Sequence, residues 1–99
     1  MQIIIVGCGK VGSTIAEQLS AEGHDITIVD TDESVVQALA TRLDIMGVTG
    51  NGATHSILAE AGVEEADLLI AVTESDELNL LCCMVGKKAG AEHTIARVR

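Results

Sequence analysis

The chain has no phenylalanine, tyrosine, tryptophan or proline, and it is poor in cations. Each absence excludes something. Without aromatics there is no platform on which nucleic-acid bases stack. The core must also be built from Val, Ile, Leu, Ala and Met, a palette that suits a sheet buried on both faces. Six basic residues against fifteen acidic ones give a formal net charge of −9. That balance argues against a DNA or RNA partner, whose affinity comes from Lys and Arg on phosphates. It argues equally against direct binding to an anionic membrane surface. No apolar run reaches the length of a membrane span. Gln2–Val6 is apolar but short, lacks a basic leader and runs straight into glycines, so it does not read as a signal peptide. Three cysteines are an odd count and Cys82 and Cys83 are adjacent. A disulfide framework is therefore not expected, and a reducing, cytoplasmic setting is.

What is present is 47% apolar residues in 99, enough for one domain with a small core, spanning 1–99. Strand and helix patterns alternate without a linker or repeat. Ile3–Val6 is a β-branched run ended by Gly7. Val11, Ile15 and Leu19 then recur at helical spacing, and Gly23 sits where that helix should stop. Ile26–Val29 reads as a second strand. Asp32 is a candidate N-cap for a helix with the stripe Val35, Leu39, Leu43. Ile45–Val48 is a weak third strand. Gly50-Asn51-Gly52 marks a turn before a short helix around Ile57, Leu58 and Ala61, ended by Gly62. Leu68–Val72 is a fourth strand. Leu78, Leu81, Cys82 and Val85 form another helical stripe, stopped near Gly90, and Thr94–Val98 starts a fifth strand. Strands alternating with helices imply parallel pairing through right-handed crossovers. The expected fold is α/β, a Rossmann-like doubly wound parallel sheet of five strands, order 3-2-1-4-5, ending before any sixth strand.

Gly7, Gly9 and Gly12 match G-x-G-x-x-G. The pattern is weak alone, but here it follows a predicted strand and opens a predicted helix, the context it requires. Gly7 permits the tight turn, Gly9 lets backbone approach a pyrophosphate, and Gly12 lets helix and strand pack closely. A helix N-terminus there offers free N–H groups and the positive end of a dipole. Asp30 ends the second strand 18 positions after Gly12, close to the ~20-residue spacing of a ribose-binding acid. A carboxylate there accepts from ribose hydroxyls and repels a 2′-phosphate. Thr31 and Asp32 follow it rather than Arg or Lys, so NADP is disfavoured.

Thr73-Glu74-Ser75-Asp76 follows the fourth strand, beside the point where a doubly wound sheet reverses its strand order and binds ligands. Thr73 and Glu74 could reach a nucleotide there, or Thr73 or Ser75 could cap the next helix. Asn51 could read an adenine edge or simply tolerate a left-handed turn. Lys10, inside the glycine loop, is either a phosphate partner or a solvated lysine. Cys8 lies where a helix N-terminus could lower its pKa. Val11 completes the loop, for which mainly backbone contact is expected. Cys82 and Cys83 read as core, and Glu64 and Glu65 as a solvated turn. The three histidines (His24, His55, His93) are scattered, no zinc spacing is present, and no nucleophile has a paired base.

The stretch Met1–Asp30, the segment ADLLIAVTESDELN from Ala66 to Asn79, and the terminal IARVR together resemble the N-terminal nucleotide-binding (RCK/KTN) domains of TrkA-type regulators of potassium uptake. The glycine loop is common to dinucleotide-binding folds; AVT-x-S-D-E-x-N and IAR-x-R are more distinctive. The resemblance spans the whole chain and implies a ligand-sensing regulatory module rather than an enzyme. It implies NAD or NADH as ligand, with ATP, ADP or AMP as further possibilities. It implies a potassium transporter or channel subunit in the membrane as partner, and a homo-oligomer, a dimer or larger ring, in the full-length context. The location would be cytoplasmic, peripheral to the inner face of the membrane through that partner. Gly7 to Val11 match the family's phosphate loop, Asp30 its ribose acid, and Thr73 and Glu74 positions beside the cofactor. Arg97 is assigned to the nucleotide by resemblance alone. Lys10 stands where some ATP-responsive members carry an arginine reaching a neighbouring subunit's phosphates; lysine keeps the charge but not the bidentate fork. Family domains usually continue with a sixth strand and a crossover helix used in dimerisation, so the chain is expected to be a fragment or to have a reduced assembly surface. Two rivals use the same loop: the cofactor half of an NAD-dependent dehydrogenase lacking its catalytic domain, and an oligomerisation domain with a vestigial site.

Overall fold

In the computed structural model, which describes residues 1–99, strands and helices alternate throughout. The strands are β1 (Gln2–Val6), β2 (Asp25–Asp30), β3 (Met46–Thr49), β4 (Leu68–Ala71) and β5 (His93–Ala96). The helices are α1 (Lys10–Ala21), α2 (Glu33–Leu43), α3 (His55–Glu60) and α4 (Asp76–Ala89), with a 3-10 turn at Val63–Glu65. All strand pairs are parallel and the order is β3-β2-β1-β4-β5. The sheet is the expected Rossmann-like one. β1 is central, with Ile5 beside Ile28 on one side and Ile70 on the other.

Alternate side chains of a strand point to opposite faces, and the β-branched run of β1 is divided in that way. Ile3 and Ile5 enter a cluster with Ala16, Ile26, Ile28, Val36 and Leu39 under α1 and α2. Ile4 and Val6 enter a second cluster with Leu58, Val63, Leu69 and Cys82 under α3 and α4. Burial of each such aliphatic side chain contributes ~1.5–3 kcal/mol, so helix cover on both faces is what makes a run of four β-branched residues tolerable.

The helical stripes differ from expectation in phase. Val11 is exposed, and α1 instead faces the sheet through Gly12 and Ala16, flanked by Ile15 and Leu19. Val35 lies at the margin of exposure, and Val36 joins Leu39 in the core. Leu81 is exposed, and the buried line of α4 is Asn79, Cys82 and Gly86. Close approach to the sheet selects small residues: a Cβ on Gly86 would lie 2.7 Å from Leu69 Cδ1. Strand ends also shift. β3 begins and ends one residue later than its apolar run suggests, and β4 stops at Ala71, although the Val72 N–H still donates to Val6 O (2.8 Å). β5 is His93–Ala96, not Thr94–Val98, because the backbone N–H of Arg99 turns aside to Asp76 Oδ2 (3.1 Å).

Candidate functional site

The carboxyl ends of β1, β2 and β4 surround a cleft of about 130 Å³. It lies where connections from the central strand diverge to opposite sides, the usual ligand position in a doubly wound sheet. Gly7, Asp30, Thr31, Asn51 and Thr73 line it, together with Gly50, Gly52 and Leu78. Cys8, Gly9, Lys10, Val11, Gly12, Glu74 and Arg97 are not among its lining residues.

Each loop glycine meets a different constraint. Gly7 has φ +108°, a region side chains rarely adopt. A Cβ on Gly12 would stand 1.7 Å from Gly7 O, so α1 can sit this close to β1 only with glycine there. Gly9 has an ordinary φ of −72°, and a Cβ on it would meet nothing within 4 Å. The chain itself therefore needs no glycine at 9. What its missing side chain provides is open space in front of the first turn of α1.

No side chain of α1 itself caps that first turn. Gly9 gives no side-chain cap to α1, and no acidic residue stands in its first turn. α2 by contrast is capped by Asp32, which accepts from Ser34 N and Val35 N, and carries Glu33. α4 is capped by Ser75, which accepts from Leu78 N, and carries Asp76 and Glu77. The N-terminus of α1 thus keeps free N–H donors and its positive dipole end. An open cradle of N–H groups fits an anionic phosphate.

Asp30 is fixed beside this cradle. Its Oδ2 accepts from Cys8 N (2.8 Å) and its Oδ1 from Asp32 N (3.0 Å). Each oxygen keeps acceptor capacity for a hydroxyl. Cys8 departs from expectation: burial, and then the neighbouring Asp30 charge, push its thiol up to about 12 instead of the helix end lowering it. Desolvation wins because the side chain packs in the core under α1, with Sγ 3.9 Å from Val29 O. Cys82 is in the core as expected, its thiol pushed up to about 11 by burial, and Cys83 is half-buried with its thiol also raised.

Lys10 is exposed, is the first residue of α1 and makes no ion pair. Asn51 Oδ1 accepts from Ala53 N (2.8 Å), which makes it a turn residue, but its φ is not left-handed. Thr73 lines the cleft, yet its N–H, hydroxyl and carbonyl are all engaged by Asn79. Glu74 is exposed and contributes its carbonyl to the Arg99 guanidinium. Arg97 donates its backbone N–H to Ala71 O (3.0 Å), and its Nε is buried without a partner. No group of His, Cys, Asp and Glu is disposed to hold a metal.

Sequence reasoning missed Gly50, Gly52, Leu78 and Asn79. The turn at Gly52 runs so close to β1 that a Cβ would lie 2.5 Å from Val6 Cγ1. An amide at position 79, between Leu78 and Cys82 on the apolar side of a helix, is the signal that could have found the last of them.

Residues 3–99 match the family model of the TrkA-N domain. The Trk system potassium uptake protein TrkA of Halomonas elongata is 51% identical over 100 residues, covering 100% of this chain and 22% of that protein. A Trk system potassium uptake protein TrkA homolog of Methanothermobacter thermautotrophicus is 38% identical over 98 residues, covering 99% of this chain and 45% of the homolog. The chain thus spans from about a fifth to under half the length of these curated relatives. Among solved structures, the Shewanella denitrificans Kef CTD in AMP bound form superposes with a TM-score of 0.81 at 25% identity, over 96% of this chain and 57% of that one.

Proposed function

Because the chain belongs to the TrkA-N domain family, we propose that it is a nucleotide-binding regulatory module controlling potassium transport through a membrane channel or transporter partner. The observation that carries this reading is the α1 N-terminus: uncapped, free of acids in its first turn, and opened by a glycine the fold does not need. The first-turn N–H groups of α1 bind a pyrophosphate, and Asp30 accepts from ribose hydroxyls while staying anchored by Cys8 and Asp32. The same carboxylate repels a 2′-phosphate, which favours NAD or NADH over NADP. ATP, ADP and AMP fit the loop as well, and the AMP bound form of the Kef CTD supports an adenine nucleotide. Lys10 supplies a mobile positive charge at the loop, Thr31, Asn51 and Thr73 line the cleft, and Glu74 and Arg97 flank it.

The module is not an enzyme in this reading. Asp30 is the single titratable side chain lining the cleft, and both its oxygens are anchored by backbone N–H groups, an arrangement suited to holding a ribose. That favours a sensor over the cofactor half of a dehydrogenase. Regulation follows from differential affinity: the nucleotide must bind one arrangement of the assembly more tightly than another, since equal affinity shifts nothing. The partner is a potassium transporter or channel in the membrane, as the names of the curated relatives suggest. The module sits on the cytoplasmic side as part of a homo-oligomer; no helix of the chain is long and apolar enough to cross a membrane itself.

The test is calorimetric titration with NAD, NADH, NADP, ATP, ADP and AMP, repeated on Asp30→Ala. NAD or an adenine nucleotide should bind, NADP should be the weakest dinucleotide, and Asp30→Ala should weaken NAD binding. No binding of any of the six would sink the proposal. Unchanged NAD affinity in a folded Asp30→Ala would remove the ribose assignment.

A further inference from the structure

Asn79 is the one buried polar residue of the chain, with no exposed surface. Its amide is fully engaged. Oδ1 accepts from Thr73 N (2.8 Å) and from Thr73 Oγ1 (2.7 Å). Nδ2 donates to Thr73 O (3.1 Å) and to Arg97 O (3.0 Å). Packing does not demand an amide here, because the rest of the buried line of α4 is Cys82 and Gly86. The loop above it does. An apolar residue at 79 would leave the half-buried Thr73 N–H and the Thr73 and Arg97 carbonyls without this partner.

The two residues held by Asn79 have different places in the fold. Thr73 is a wall of the cleft, beside Gly7. Arg97 directly follows β5, and the next residues fold back onto the same loop. Arg99 N donates to Asp76 Oδ2 (3.1 Å), and the Arg99 guanidinium reaches Glu74 O. A wall of the cleft and the segment leaving the sheet are therefore tied to a single side chain.

We propose that Asn79 is a positioning residue for the nucleotide site, holding Thr73 in the cleft wall and linking any displacement of that wall to residues 97–99. The inference rests on the nucleotide reading of the cleft. Asn79 does not touch the ligand. It acts through Thr73 on affinity and through the Arg97 carbonyl on the segment beyond β5.

The experiment is an NMR titration of the ¹⁵N-labelled chain with NAD, and in parallel with AMP, following the Gly9 amide, the Asn79 side-chain amide, and the Thr73 and Arg97 backbone amides. All four should shift with one midpoint. In Asn79→Ala, held well below its melting temperature, affinity should fall about tenfold, equivalent to about 1.4 kcal/mol. Gly9 should still respond at higher nucleotide concentration while Arg97 no longer does. A purely structural role would lower the melting temperature but leave affinity and the Arg97 response of the folded protein unchanged, and that result would overturn the proposal. If Asn79→Ala does not fold, the wild-type titration decides alone: a Gly9 shift with Asn79 and Arg97 silent also overturns it. If neither nucleotide moves Gly9, the nucleotide reading itself fails and this inference falls with it.

Discussion

Gly9 and Gly12 lie three residues apart, yet a side chain at each would meet opposite surroundings. The space at Gly9 is empty, so Gly9→Val should cost the fold no more than about 1 kcal/mol, the range of a poorer N-cap. It should nonetheless reduce NAD affinity at least about tenfold, because a branched side chain would stand where the phosphate approaches the N–H groups. Gly12→Ala places a methyl 1.7 Å from Gly7 O and should destabilise by several kcal/mol, at or above the upper range of an overpacked core. Melting curves and calorimetry on the two variants separate these outcomes. Cys8 gives a chemical check at the same scale. With its thiol at about 12 and its side chain buried, it should resist iodoacetamide at pH 8 in the native chain and react only on unfolding. Fast native labelling of Cys8 would contradict its placement. The glycines were legible in the sequence because their spacing is local. The state of Cys8 was not, because its pKa depends on Asp30 and the core beneath α1, which are distant in sequence.

Helix ends carry the next set of consequences. Two of the three long helices supply their own caps, and the third, α1, has none. Ser75→Ala removes the acceptor for Leu78 N (3.1 Å) and should cost about 1 kcal/mol of stability, readable as a lower urea midpoint. At α2, hydrogen bonds from the Ser34 side chain and the Val35 backbone hold the exposed Asp32 carboxyl below its ordinary value. A depressed folded-state pKa stabilises the fold at pH values above the unfolded carboxylate pKa, and the contribution is lost as pH falls through the lower folded value. The melting difference between wild type and Asp32→Ala should therefore be constant near neutrality and shrink only below the ordinary carboxylate range. Asp32 and Gly23 were readable as helix signals because capping is a property of a few consecutive residues. The buried faces of α1 and α4 were not. Apolar spacing pointed to Val11 and Leu81, but tight helix–sheet packing placed Gly12, Asn79 and Gly86 against the sheet and left those two side chains in solvent.

At the scale of the molecule, ligand binding should appear as a concentration-dependent rise in melting temperature, since a nucleotide that binds only the folded chain stabilises it by mass action. A hundredfold excess over the dissociation constant corresponds to about 2.7 kcal/mol. NAD should give a larger rise than NADP at equal concentration; the reverse order would mean that Asp30 does not face the ribose. Alternation of β-branched runs with helical periodicity was sufficient, by itself, to determine the α/β class and the parallel pairing; the strand order came with the glycine fingerprint, since alternation alone also allows the order 2-1-3-4-5. The same local patterns determined the glycine loop at the head of α1 and the carboxylate at the end of β2. Only the tertiary structure decided which residues share the cleft: Gly50, Gly52 and Leu78 entered it, while Glu74 and Arg97 stayed outside. It alone buried Cys8 and gave Asn79 four hydrogen bonds to two residues. The physical reason is range. Periodicity and capping act over a few residues, whereas the cleft is made where strands far apart in the chain end side by side.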